Sequence, residues 1–203
     1  EAWARGGANC WVTGTFDPRR PDAHTVLAAT ASRRGARNEA GVHYLKAAEL
    51  APGNGAIVNN YAVWLCNEGR AEESLRWFEQ ALADRRYTSQ SVALANAGSC
   101  ALRAGQEARG ERDLRKAIEL DPGNATALGA LASLEFRRGN AFEARAFSER
   151  RLSAAPADRG ALQLASQIEH KLGDTAAAAR YVQRMRAEFP ETQGSGMGDD
   201  GRR

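Results

Sequence analysis

The sequence predicts an all-α fold, a superhelical solenoid of antiparallel helix pairs with about five repeats, on three observations. Glycines recur at separations of 34, 36, 34 and 34 residues, prolines recur with the same period, and small residues occupy two fixed positions of every unit. A helical unit that recurs at a fixed period stacks on its neighbours and buries a continuous core. Because two independent residue types share one period and one two-residue insertion, chance is a poor explanation.

Glycine and proline divide residues 21–192 into units of one helix pair each. The glycine inside a unit can adopt positive φ and end the first helix, and the proline at the end cannot continue the second helix. The first helix covers roughly the second to fourteenth positions of a unit, and the second covers roughly the eighteenth to thirty-first. The glycines are Gly35, Gly69, Gly105, Gly139 and Gly173, the prolines are Pro52, Pro122, Pro156 and Pro190, and the units are 21–54, 55–90, 91–124, 125–158 and 159–192.

Two positions of each unit carry small side chains, which lets the paired helices approach closely. A 34-residue helix pair with this punctuation is typical of the tetratricopeptide repeat, or TPR. An unrelated alanine-rich helical bundle is the alternative. The eighth position holds Ala28, Ala62, Gly98, Ala132 and Ser166, and the twentieth holds Ala40, Ser74, Gly110, Ala144 and Ala178.

The remaining segments and the composition limit the classes of function. Residues 1–20 are predicted to be an irregular leader and residues 193–203 a disordered tail, since neither has a helical period. Apolar residues make up 43% of the 203 residues and charged residues 26%, which is normal for a soluble folded protein. The net charge of +3 is too small to indicate nucleic-acid binding. No stretch approaches 18 consecutive apolar residues, so no membrane span is predicted.

The side chains that carry chemistry form no recognisable catalytic set. The three histidines, His24, His43 and His170, match no metal-ligand spacing, and motifs for phosphate loops, nucleophile elbows or metalloproteases are absent from the sequence. Adjacent acids such as Glu72 and Glu73 diverge on a helix instead of converging on a substrate. We therefore predict a non-enzyme with no catalytic residue, cofactor or metal.

Repeat arrays of this kind bind partners in a groove lined mainly by the first helices. Four of the five residues at the thirteenth position are basic, which predicts a docking track for an acidic or carboxylate-bearing peptide. The alternative is that cations are favoured in the last turn of any helix by its dipole. Phe136 at the twelfth position either anchors an apolar side chain of a partner or packs between neighbouring repeats. The groove candidates are Arg33, Asn67, Arg103, Arg137 and Lys171 at the thirteenth position, and Leu102 and Phe136 at the twelfth.

Three segments carry a narrower resemblance: 59–70 (NNYAVWLCNEGR), 81–105 (ALADRRYTSQSVALANAGSCALRAG) and 168–190 (IEHKLGDTAAAARYVQRMRAEFP). Together they resemble the type IV pilus biogenesis and stability proteins, which are pilotin-type TPR lipoproteins of Gram-negative bacteria. The resemblance extends over about residues 21–190. Its features are Tyr61 to Leu65-Cys66, the two-residue insertion with Tyr87, Asn96-Ala97-Gly98 followed by Cys100, and Leu172-Gly173-Asp174 with Phe189-Pro190.

The resemblance implies a periplasmic adaptor tethered to the outer membrane. Such a protein binds a segment of the secretin, the outer-membrane pore of the pilus machine, and helps it to localise and assemble. A lipid near the N-terminus would be its only membrane anchor, and Cys10 is the candidate for lipidation. Members of the family have about six repeats, so the first is expected to be missing here. A generic TPR scaffold that binds a different client peptide in another assembly is the alternative.

Cys10, Cys66 and Cys100 allow one disulfide and leave one odd thiol. The resemblance implies an oxidising periplasm, where disulfides form and persist, and members of the family carry a bond between the first helices of successive repeats. We therefore expect a disulfide between Cys66 and Cys100. Two buried thiols that act as small hydrophobic residues are the alternative.

Overall fold

The computed structural model describes residue 17 and residues 19–190, and within that part the chain forms ten α-helices and is all-α, as predicted. Consecutive helices pack as pairs, with α1 against α2 and so on to α9 against α10. No helix in the described part is long and apolar enough to cross a membrane. The helices are α1 Pro21–Arg33, α2 Arg37–Leu50, α3 Gly55–Asn67, α4 Ala71–Ala83, α5 Gln90–Arg103, α6 Glu107–Leu120, α7 Ala125–Arg138, α8 Ala141–Ala154, α9 Arg159–Leu172 and α10 Thr175–Glu188.

Two of the predicted segments lie largely or wholly outside the described residues. Of the leader 1–20, only residues 17, 19 and 20 are described, and they precede α1 without helical structure. The tail 193–203 and the lipidation candidate Cys10 are outside the described residues.

The helices begin and end where side chains or backbone satisfy the terminal polar groups. The side-chain oxygen Oδ1 of Asn54 accepts hydrogen bonds from the backbone N–H groups of Ala56 and Ile57, at 3.1 and 3.2 Å, and so caps α3. Asn124, Asp158 and Asp174 cap α7, α9 and α10 in the same way. A capping side chain satisfies N–H groups that have no partner within the helix.

The mid-repeat glycines adopt the left-handed conformation that the sequence predicts for them. Gly139 and Gly173 follow α7 and α9 with φ of 86° at both positions. A side chain is strained at this φ, so glycine is the residue that can reverse the chain between the two helices of a pair.

The described helices divide between two compact units, with the boundary between Pro122 and Gly123. The first unit contains α1 to α6, and the second contains α7 to α10.

The first unit has a continuous core that joins successive helix pairs. Leu75 and Phe78 of α4 pack with Ala97, Cys100 and Ala101 of α5, and all five are nearly inaccessible to solvent.

A second cluster of the first unit is aromatic. The rings of Tyr61 and Trp64 stack with centroids 5.9 Å apart, and Trp77 meets Tyr61 edge-on at 4.9 Å. Aromatic pairs in these arrangements add to the stabilisation from apolar burial.

The second unit buries two glutamates, and both carboxylates are hydrogen-bonded. Glu135 is 2% exposed and accepts from Arg138 at 3.1 Å and Asn140 at 2.7 Å. Glu169 of α9 is 4% exposed and accepts two hydrogen bonds from the guanidinium of Arg145 of α8. These hydrogen bonds join α8 to α9. These bonds raise the pKa of the Arg145 guanidinium above its ordinary value. A buried carboxylate without such partners would be strongly destabilising.

Candidate partner-binding surfaces

The thirteenth-position residues lie at the ends of the first helices, and all five are exposed. In the first unit these are Arg33, Asn67 and Arg103, at the ends of α1, α3 and α5. In the second unit they are Arg137 and Lys171, in the last turns of α7 and α9.

The four cations in this set have no carboxylate partner among the described residues, whereas neighbouring arginines are paired. Arg34, next to Arg33, lies 2.8 Å from Glu39. Arg138, next to Arg137, lies 3.1 Å from the buried Glu135. Because Arg33 and Arg137 lack such a carboxylate partner among the described residues, their guanidinium groups are available to an external anion.

In the first unit, two thirteenth-position side chains touch each other. Arg103 Nη1 donates to Asn67 Oδ1 at 3.2 Å, although the two residues are 36 positions apart. Arg103 also lines a surface concavity of about 700 Å³ together with Arg70, Glu73 and Arg76. Glu73 is paired with Arg70 at 2.6 Å. Glu72 also lines the concavity, so its three arginines and two glutamates leave one positive charge in excess.

The second unit has a cleft that is mainly apolar. Its volume is about 610 Å³, and its apolar lining comes from Phe136 of α7 and from Ala178, Ala179 and Val182 of α10. Lys171 lies on the same cleft. The cleft therefore combines apolar surface with an ammonium group that no carboxylate of the described residues pairs with.

Leu102 has a contact within its own helix pair. It is half-buried, and its Cδ2 would lie 2.5 Å from a Cβ atom placed on Gly110 of α6. The side chain thus occupies the space that the missing side chain of Gly110 leaves. This packing gives Leu102 a structural role at the helix crossing.

A disulfide joins Cys66 of α3 to Cys100 of α5, with an S–S distance of 2.12 Å and a Cα–Cα distance of 6.0 Å. Both cysteines are buried, and Ser74 Oγ lies 2.9 Å from Cys100 Sγ. The bond links the second helix pair to the third.

The structure brings His24 and His43 together, which the sequence reasoning did not predict. Their Nδ1 atoms are 2.9 Å apart and their ring centroids 5.2 Å apart. A hydrogen bond of this kind requires one ring nitrogen to donate and the other to accept. The signal available in the sequence was that the two residues belong to the paired helices of one repeat.

In the described part of the chain, no three histidine, cysteine or acidic side chains are grouped so as to hold a metal ion.

Comparisons with known proteins identify relatives of this chain. A tetratricopeptide repeat model matches residues 92–124. The type IV pilus assembly protein PilF of Pseudomonas aeruginosa is 23% identical over 175 residues, which cover 86% of this chain and 69% of the relative.

Solved structures of the same kind are similar over most of the chain. The crystal structure of PilW, a widely conserved type IV pilus biogenesis factor, superposes with a TM-score of 0.76 at 27% identity and covers 87% of this chain and 81% of PilW. The Pseudomonas aeruginosa PilF structure gives 0.74 at 23% identity, with coverage of 87% and 79%. MamA gives 0.62 at 16% identity, with coverage of 84% and 95%, which is a likeness of fold alone. The chain is thus a TPR repeat protein related to type IV pilus assembly proteins, and this relationship implies a protein-binding role.

Proposed function

We propose that the chain is a non-catalytic adaptor of type IV pilus biogenesis that helps the outer-membrane secretin to localise and assemble by binding it. The observation that carries the proposal is the similarity to PilW and PilF, which extends over 86–87% of the chain in both sequence and structure. A match limited to one repeat would support only a generic TPR scaffold.

The exposed, unpaired cations at the thirteenth position support the protein-binding part of the proposal. Arg33 and Arg103 in the first unit and Arg137 and Lys171 in the second carry no intramolecular ion pair in the described part of the chain. An arginine or lysine of this kind attracts a carboxylate or an acidic segment and favours correct register in a complex. Each unit thus offers cations to an acidic segment of the partner.

We propose a location in the periplasm, associated with the outer membrane, and the disulfide between Cys66 and Cys100 supports the periplasmic part of it. Disulfides persist in the oxidising periplasm and are rare in the cytosol. Fractionation of the native cells, followed by mass spectrometry without reduction, tests this part of the proposal. A cytoplasmic location with two free thiols at Cys66 and Cys100 would favour a scaffold of another assembly.

A gene deletion in the native organism tests the function directly. We expect loss of surface pili and of secretin multimers, because an unassisted secretin would not reach or assemble in the outer membrane. Expression of the wild-type chain from a plasmid should restore both. Normal levels of pili and of secretin multimers in the deletion strain would rule the proposal out.

A further inference from the structure

Within the first unit, the first and the second helix pair each provide a surface on which the first helix of the next pair packs. We call this surface the acceptor face and define it by the eighth, twelfth, twentieth, twenty-first and twenty-fourth positions of a repeat. On α3 and α4 the acceptor face is covered by α5, and its exposed fraction is at most 6% at any residue. Its residues are Ala62, Cys66, Ser74, Leu75 and Phe78.

In the first unit, the residue at the twenty-first position complements in size the side chain at the tenth position of the incoming helix. On α1 and α2 this position is Gly41, and the ring of Trp64 from α3 would lie 2.4 Å from a Cβ atom placed there. On α3 and α4 it is Leu75, which shares a core cluster with the smaller Cys100 of α5. In these two pairings of the first unit, a small acceptor residue receives a large side chain, and a large one receives a small side chain.

The acceptor face of α9 and α10 is not covered in the described part of the chain. Ala179 and His170 are exposed there and Val182 is partly exposed, whereas the equivalent Leu75, Cys66 and Phe78 are buried. This face forms much of the cleft that Phe136 and Lys171 also line. Its residues are Ser166, His170, Ala178, Ala179 and Val182.

We propose that the acceptor face of α9 and α10 binds an amphipathic helix of a partner protein. The inference rests on the proposed protein-binding function and adds a second site with its own chemistry. Since the twenty-first position is the small Ala179, the face leaves room there for a large apolar or aromatic side chain of the incoming helix, as Gly41 does for Trp64. Lys171, which has no ion pair with any residue that the structure describes, selects a carboxylate on the same helix.

The probe is a fluorescein-labelled synthetic peptide that copies residues 54–69, which contain the helix that packs against Gly41. Serine replaces Cys66, and a lactam bridge between the side chains introduced by Ala56→Glu and Asn60→Lys holds the peptide helical, since short isolated helices are marginal in water. The comparison peptide carries Trp64→Ala. Fluorescence anisotropy measures binding to the full chain.

We expect saturable binding of the tryptophan peptide and a loss of affinity of at least about tenfold with Trp64→Ala, as for removal of a central aromatic anchor. Ala179→Arg in the protein should cause a similar loss, because the new side chain fills the cleft. Ala176→Arg, an identical change at an exposed position of the same helix, should bind like the wild type. Circular dichroism checks that both variants fold.

The contribution of charge has its own variant. Lys171→Glu should weaken binding of the peptide, which carries Glu68, by roughly two- to fivefold at low salt, and added salt should reduce the difference. The matched control is Arg180→Glu, which alters an exposed cation of α10 that does not line the cleft. Equal effects of the two variants would refute the role of Lys171.

Other outcomes overturn the proposal. Equal binding by Ala179→Arg, or no binding of the tryptophan peptide to the wild type, excludes this face as a helix-binding site. If the wild type self-associates in sedimentation velocity and Ala179→Arg does not, a second copy occupies the face. If the peptide binds only after removal of residues 191–203, the chain covers the face itself. Normal pili in the deletion strain would refute the proposed function without changing these binding measurements.

Discussion

At the scale of single residues, the closest approach between paired helices in the third repeat depends on two glycines. A Cβ atom on Gly98 would lie 2.7 Å from Leu114 Cγ and 2.8 Å from the carbonyl oxygen of Gly110. These distances are shorter than normal van der Waals contact, and the nearest backbone belongs to the facing helix. The sequence predicted this crossing from small residues at the eighth and twentieth positions.

Gly98→Ala should therefore destabilise the protein. The added methyl group forces α5 and α6 apart, and overpacking of this kind costs about 1–3 kcal/mol. Urea unfolding followed by circular dichroism measures the change. The control is Gly53→Ala, because a Cβ atom there meets nothing within 4 Å, and we expect a change within about 0.5 kcal/mol. Equal stability of the two variants would show that the crossing tolerates a larger side chain.

Some contacts between single residues could not be predicted from the sequence. The packing of Trp64 against Gly41 and the hydrogen bond between His24 and His43 depend on how far each helix rotates about its axis. A repeat period gives the order of the helices and their small-residue positions, but it does not give side-chain rotamers.

At the scale of elements, the two-residue insertion in the second repeat docks the loop between α4 and α5 on the start of α3. Asp84 Oδ2 accepts from the backbone N–H of Gly55 at 3.0 Å, and a Cβ atom on Gly55 would lie 2.8 Å from the side chain of Tyr87. Burial raises the pKa of the Tyr87 hydroxyl. The inserted loop thus helps to cap the helix that begins its own repeat.

The Asp84 carboxylate should make stability depend on pH. The hydrogen bond from the Gly55 N–H, followed by that from the Arg86 N–H, lowers the pKa of Asp84 below its ordinary value. A carboxyl group with a lowered pKa in the folded state contributes stability at neutral pH, and this contribution is lost as the pH falls below about 4.

Asp84→Asn should therefore be less stable than the wild type at pH 7, and the difference should shrink at about pH 3, which lies below the ordinary pKa of an aspartate. Urea unfolding midpoints at the two pH values test this. A difference that stays constant with pH would mean that the charge of Asp84 does not matter.

The sequence predicted the existence and type of the helices better than their ends. The positions assigned to the first helix of unit 91–124 begin two residues after the observed start at Gln90. The period arises from glycine, proline and small residues, which are local signals. The loop with Tyr87 contacts the start of α3, which lies far away in the sequence, and a repeat period gives no signal for such a contact.

At the scale of the whole molecule, the predicted docking residues are distributed over both units. Alignment of the repeats identified Arg33, Arg103, Arg137 and Lys171 as one class. The structure adds that they are exposed and lack ion pairs in the described part of the chain. The sequence could not distinguish them from paired neighbours such as Arg34, because ion pairing depends on where the carboxylates of the next helix lie.

Charge reversal in each unit should weaken binding to the partner. Arg103→Glu and Arg137→Glu are each expected to reduce affinity for the purified periplasmic region of the secretin by roughly two- to fivefold at low salt, with unchanged circular dichroism. Isothermal titration calorimetry measures the affinity. Lys116→Glu, a change at an exposed cation of α6, is the control. Unchanged affinity for both variants would remove the thirteenth position from the binding surface.

The disulfide has a mechanical consequence if the molecule is stretched from its ends. Cys66 and Cys100 are 34 residues apart in the chain but have Cα atoms only 6.0 Å apart. Tension therefore passes through the covalent bond and bypasses the segment between them. That segment would extend to roughly 110–120 Å if it were pulled straight. An oxidised molecule keeps α4 and the Tyr87 loop outside the path of the applied force, so its extended length is shorter by that segment and the pull does not unfold the loop.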